Sequence, residues 1–190
     1  MTQVEGALIT EGLYRSAPGK VLEIGTGGGR LTPYLLARSS EVVATDATIS
    51  LLRALTLPGQ PRIRRVAANV YHLPFSSESF SVATMVRVFA FLSNPAMALR
   101  EIHRVLRVQG LLVVSVEPHP SLGSLLNDLK VGLARTRAEG RPAMTFTRDP
   151  VVPVRPSAFP AWAPTRSHLR MLVAQSGFSV VDEFPCGFED

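Results

Sequence analysis

The residues best equipped for chemistry lie close together near the start of the chain. The run Glu23-Ile24-Gly25-Thr26-Gly27-Gly28-Gly29 sets a carboxylate two places before a glycine cluster. Gly25 lets the backbone turn sharply, and Gly27 and Gly29 remove side chains where backbone must approach a ligand. A helix starting just after such a loop offers unpaired N–H groups in its first turn. Asp46 follows at roughly the ~20-residue spacing at which a carboxylate grips the hydroxyls of a ribose. The chemistry implied is the holding of a nucleoside.

The spacing separates the kinds of nucleoside. A dinucleotide site wants G-x-G-x-x-G, and Arg30 stands at the sixth position. The phosphate-cradling Walker loop is excluded as well, because no Gly-Lys-Ser/Thr follows. The pattern present is E-x-G-x-G-x-G. Glu23 can hold an ammonium directly or through water, which suits an amino-acid nucleoside better than a pyrophosphate. A tight strand-to-helix turn without a ligand is the plain structural alternative.

These residues need a parallel sheet to hold them, and the hydrophobic pattern supplies one. Lys20 to Gly25 is nearly continuous in apolar character, as a strand covered on both faces should be. A helix is expected over about Leu31 to Arg38, then a strand from Glu41 to Thr45 ending at Asp46. Thr48 is expected to cap a helix from Ile49 to Leu57. Further strands are expected at Arg62 to Ala68, Phe80 to Val86 and Leu111 to Glu117. Between the last two, Asn94 caps a helix with Pro95 in its first position. This alternation predicts a doubly wound Rossmann-like α/β fold, a mostly parallel sheet in a three-layer sandwich, with ligands outside the carboxyl ends of the strands.

The rest of the chain reads differently. Val4 to Tyr14 predicts a short amphipathic helix and Ser121 to Arg135 another. Residues 140–164 are rich in proline and predict an extended, lid-like insertion in a single domain of residues 1–190. Thr165 caps a helix to Gln175 that Gly177 stops, and Phe178 to Phe184 is a last strand.

Composition narrows the partners. Of 190 residues, 46% are hydrophobic and 18% charged, as in ordinary globular domains. The net charge of +5 is carried almost entirely by arginine. Clusters such as Arg62, Arg64 and Arg65 allow an anionic or nucleic-acid partner, but no RNA-binding, zinc-finger or helix-turn-helix signature accompanies them. Arginine-rich solvated surface is the favoured reading. Cys186 stands alone, so neither an intramolecular disulfide nor a cysteine metal cluster can form, and no metal site is expected. No signal peptide is legible, and the apolar stretches fall far short of the ~20 residues that span a bilayer. No membrane association and a cytoplasmic location are expected.

With these residues in view, the segment from Val21 to about Pro118 resembles the class I S-adenosylmethionine (SAM)-dependent methyltransferases, especially the small-molecule enzymes of ubiquinone and menaquinone biosynthesis. Val21 to Leu31 is similar to their first motif. Leu73-Pro74-Phe75 followed by Phe80 is similar to the loop into strand four. Ala98 to Leu106 is similar to the helix before strand five, and Thr165 to Val181 to a late helix and strand. The resemblance implies SAM as cofactor, with Glu23, Gly25, Thr26 and Gly27 at its methionine part and Asp46 at its ribose. It implies Ala47 or Ile49 beside the adenine, Asn69 receiving the adenine amine, the Val70 backbone at a ring nitrogen, and Val86 lining the site after strand four. Ser81 stands where the family usually has aspartate, and Val108-Gln109-Gly110 replaces a Pro-Gly-Gly turn. The family's final antiparallel strand has little chain left to form it after Phe184, so a sheet without that strand is expected.

The cofactor's methyl is already electrophilic, so the protein need only align an acceptor and exclude water. A fixed catalytic residue is therefore not required; the weak candidates at the strands' carboxyl edge are Arg87, Glu117 and His119. Tyr14 could reach over the cofactor, and Phe146, Phe159 and Trp162 could line an acceptor pocket or anchor the proline-rich segment. His72 and His168 have no evident partner, and His103, mid-helix, reads as a helix-surface residue. The expected activity is methyl transfer to a small-molecule acceptor. The alternatives are a catalytically weak binding or assembly module, an RNA or protein methyltransferase, and a homodimer paired through a sheet edge.

Overall fold

The computed structural model describes residues 19–116, 129–136 and 164–186, together with residues 6, 9–11, 13 and 14. The expectations for residues 117–128 and 137–163, including Glu117, His119, the lid-like segment and its aromatic residues, lie outside the described residues.

The parallel half of the sheet follows from runs of apolar residues buried on both faces. β1 (Lys20–Ile24), β2 (Glu41–Asp46), β3 (Ile63–Ala67), β4 (Phe80–Met85) and β5 (Leu106–Val116) pair in the order 3-2-1-4-5, all parallel. Between them stand α1 (Thr32–Leu36), α2 (Ile49–Ala54), a short 3-10 turn (Phe89–Phe91) and α3 (Pro95–Val105). The order reverses between β1 and β4. A crevice opens at such a switch point, outside the carboxyl ends of the two strands.

Strand periodicity divides the core in two. Leu22, Ile24, Ala83, Met85, Leu112 and Val114 face a layer built from α3 and from α4 (Arg166–Gln175), where Leu99, Ile102, Leu172 and Val173 are buried. Val21, Val42, Val82, Leu111 and Val113 face the other way, against Leu31, Leu35 and Leu36 and against Ile9 and Leu13 of the N-terminal segment. The described positions of that segment, from Gly6 to Tyr14, are helical. The result is the expected three-layer sandwich.

Local signals place several helix ends. Asn94 caps α3, its side chain accepting from the Met97 amide at 3.1 Å, with Pro95 in the first turn. Thr165 caps α4 by accepting from the His168 amide at 3.2 Å. Gly177, at φ +92°, ends α4. Thr48 precedes α2 but makes no capping bond through its side chain. The Asp46 carboxylate holds the Thr48 amide instead, and α2 stops at Ala54, before the expected Leu57.

The outer sheet departs from expectation. Leu129–Thr136, all but its last residue expected within a helix, is strand β6, antiparallel to β5 and to β7 (Phe178–Cys186). Among the described residues the sheet therefore has seven strands, in the order 3-2-1-4-5-6-7. The sequence Leu129-Lys130-Val131-Gly132-Leu133 alternates at the strand period, and pairing on both sides outweighs its helix-forming leucines. An antiparallel strand is thus present, contributed from ahead of β7, and among the described residues β7 is the sheet's outer edge.

Candidate functional site

The chain leaves β1 through three glycines with positive φ: Gly25 at +70°, Gly27 at +53° and Gly29 at +81°. Their surroundings differ. A β-carbon on Gly25 would collide with a Val88 methyl, and one on Gly29 would collide with the buried Leu55 side chain. Packing against Leu55 and the positive φ thus give Gly29 a reason besides the expected approach to a ligand. At Gly27 and Gly28 a β-carbon would meet nothing within 4 Å. The open room lies over the middle of the loop.

The loop is tied to itself and to the neighbouring strand β2. The Thr26 amide donates to the Thr45 carbonyl at 2.9 Å, and the Gly29 amide to the Thr26 carbonyl at 2.9 Å. Asp46 reaches across from the end of β2. Its Oδ2 accepts from the Gly27 amide at 2.9 Å and its Oδ1 from the Thr48 amide at 2.8 Å. Each carboxylate oxygen carries a second lone pair, so acceptor capacity remains for hydroxyls outside the loop.

Glu23 is the electrostatic centre of the site. Its side chain lies on β1 below the loop, only 4% exposed, and accepts from the Thr32 hydroxyl at 2.7 Å. Burial pushes its carboxyl up to about 7, against the pull of the Thr32 and Thr26 hydroxyls and the Arg30 charge. A carboxylate so poor in water is stabilised by a cation placed beside it. A buried acid below a glycine loop with open space above it, and a second acid at the loop's rim, fits an ammonium-bearing nucleoside such as SAM.

Ala47 and Ile49 are exposed just beyond Asp46, Ile49 at 53%, an unusual setting for a large apolar side chain. Asn69 is exposed and Val70 half-buried on the loop after β3. The Asn69 Oδ1 accepts from the Tyr71 amide at 3.0 Å, so part of its acceptor capacity holds its own turn. On the other side of the switch point, Val86 is 9% exposed at the end of β4, and Arg87 follows it, exposed, at φ +59°.

One constellation escaped the sequence reading. Glu101 and Arg104 on α3 clamp the loop that carries Asn69 and Val70. Glu101 Oε1 accepts from the Leu73 amide at 2.8 Å. Arg104 donates to the Leu73 and Phe75 carbonyls at 3.1 and 2.8 Å and pairs with Glu101 at 2.7 Å. The Arg104 hydrogen bond is the main reason the Glu101 carboxyl titrates below the usual range. The Tyr71 hydroxyl secures the same loop, lying 3.0 Å from Ser93 Oγ and accepting from the Asn94 amide. The Glu-x-x-Arg spacing was the available signal, but its partners lie far away in sequence.

The remaining candidates fall elsewhere. Tyr14 is exposed and stacks under the Arg38 guanidinium, 3.5 Å from ring centre to Cζ. His103 packs edge-on against Phe178. His72 is exposed and His168 half-buried. Among the described residues no group of three or more metal-ligating side chains gathers, and no helix is long and apolar enough to cross a membrane.

Comparison with known proteins bears on the whole arrangement. The methyltransferase-domain family model matches residues 22–114. The demethylmenaquinone methyltransferase of Thermus thermophilus is 30% identical over 171 residues, covering 86% of this chain and 76% of that protein. The malonyl-acyl-carrier-protein O-methyltransferase of Laribacter hongkongensis is 38% identical over 114 residues, 53% of this chain and 38% of that protein. The cyclase SpnF superposes with a TM-score of 0.68 at 16% identity, over 93% of this chain and 57% of the other. That likeness speaks to the fold alone. The chain also spans less than half the length of several relatives it matches, 38% of one and 47% of another. The relative matched over most of both lengths, the family model and the sheet agree: the chain belongs to the class I SAM-dependent methyltransferases.

Proposed function

We propose that this protein transfers the methyl group of SAM to a small-molecule acceptor. The observation that carries the reading is the pairing of a buried, cation-seeking Glu23 with open room over Gly27, rimmed by Asp46.

When bound, the cofactor supplies an activated methyl on a sulfonium, and the chain supplies position. Glu23, ionised beside an ammonium, anchors the amino-acid end. Gly25, Thr26 and Gly27 present backbone to it, with open space beside Gly27. Asp46 accepts from the ribose hydroxyls with the lone pairs its loop contacts leave over. Ala47 and Ile49 offer an apolar flank to the adenine, and Asn69 and the Val70 backbone meet its polar edge. Val86 closes the floor, and Arg87 stands where an acceptor would enter. Catalysis on this reading rests on alignment and exclusion of water, with no obligatory base. A small organic acceptor is favoured because the relatives just described act, by their names, on a quinone precursor and a carrier-bound malonyl group.

The test is calorimetry with S-adenosylhomocysteine. Micromolar binding by the wild type and its loss in Asp46→Ala are expected. No heat change at millimolar ligand would overturn the proposal.

A further inference from the structure

Among the described residues, Glu78, Arg87 and Gln109 hold positive φ without being glycine. Glu78 lies just before β4 and Gln109 near the start of β5, at the strands' amino ends and away from the crevice. Arg87 lies at the switch point, directly after β4. L-residues rarely adopt this conformation, and one persists where its surroundings over-determine it.

The determinant is on β5. Ser115 is 1% exposed, and its Oγ accepts from the Arg87 amide at 2.7 Å. β4 and β5 pair in parallel up to Met85 and Val114, so Ser115 takes hold just where β4 stops. The turn that follows brings in Val88, whose side chain lies where a β-carbon on Gly25 would fall. A continuous mechanical line thus runs from the Ser115 hydroxyl through the Arg87 backbone and the Val88 side chain to the first glycine of the loop.

We propose that Ser115 is a positioning residue for the cofactor loop. It touches no ligand; it fixes the left-handed turn at residue 87, which seats Val88 against Gly25 and so sets the height of Gly25 to Gly27. The inference rests on the reading that this loop receives SAM.

The test uses Ser115→Ala, alone and combined with Arg87→Gly. Glycine takes positive φ without a strut, so the double variant should regain what the single one loses. S-adenosylhomocysteine binding is expected to weaken at least tenfold in Ser115→Ala and to recover several-fold in the double variant. In nuclear magnetic resonance spectra, the strong intraresidue HN–Hα cross-peak of residue 87 should fade in Ser115→Ala, and the Gly25 amide should shift. Unchanged affinity in a folded Ser115→Ala, or no recovery in the double variant, would overturn the proposal. Should the wild type bind no nucleoside, the cofactor reading fails. The resonance measurement then still decides whether Ser115 holds residue 87 and moves Gly25. An unmoved Gly25 amide overturns the inference by itself.

Discussion

Glu23 makes the ligand-free protein least comfortable where its ligand would bind best. Its carboxyl titrates at about 7 in the folded chain against 4.5 in the reference state. Below pH 4.5 both states are protonated and the group has no effect. Between the two values the folded chain keeps a proton that the unfolded chain has released, so stability falls as pH rises. Above 7 the loss levels off. At 1.36 kcal/mol per pH unit it amounts to about 3 kcal/mol, an order of magnitude only. Glu23→Gln keeps an acceptor for the Thr32 hydroxyl and removes the charge. The assay is urea unfolding of both proteins from pH 5 to 8.5. Their difference cancels the other titrating groups, and the variant should gain steadily on the wild type as pH rises, by up to about 3 kcal/mol. Nucleoside affinity should run the opposite way. It should strengthen in the wild type as pH rises through 7, with proton release on binding near neutrality. In Glu23→Gln it should weaken by about 30-fold or more, the scale of losing a buried charge partner. A stability difference flat across this range would refute the reasoning.

The glycine loop, the loop clamp and a strained turn give three further tests. Gly27→Ala should cost only about 1 kcal/mol of stability yet abolish nucleoside binding, whereas Gly29→Ala, driven against Leu55, should lose 2 kcal/mol or more in urea unfolding. Equal effects of the two on stability and binding would show that the open room is not the ligand's. Gln109→Gly should stabilise by about 0.5–1 kcal/mol, because Gln109 sits exposed at φ +64°, and calorimetric melting should shift upward by a few degrees. Glu101→Ala should cost about 2 kcal/mol by stranding Arg104 and the Leu73 amide, and should raise the dissociation constant for S-adenosylhomocysteine more than that for S-ribosylhomocysteine, which lacks the adenine.

What could be read from the sequence was local or periodic. β1, β2 and β4 declare themselves because a strand buried on both faces is an apolar run. Asn94-Pro95 and Thr165 declare helix starts because the capping chemistry lies within a few residues. The glycine loop and Asp46 could be named for the same reason, as a short pattern and a spacing. Illegible features depended on distant partners. β6 is a strand because β5 and β7 flank it, and its leucines read equally well as helix. Glu101 and Arg104 look like surface charges until the loop near Phe75 folds onto α3. Gly29 also has a packing reason, the position of the Leu55 side chain, that no local pattern reveals.

The bonds from Asp46 to Gly27 and Thr48 have a thermodynamic consequence. Fixing a residue's backbone costs about 1–2 kcal/mol in conformational entropy. With the loop already strapped to β2 by the Asp46 carboxylate, that cost is met when the chain folds, before any nucleoside arrives. Capture then resembles docking into a rigid seat, and its rate should follow diffusion and charge more than loop rearrangement. The same strap gives Asp46 two loyalties: altering it would unseat the loop as well as remove the carboxylate proposed for the sugar, so its loss should register in the empty protein.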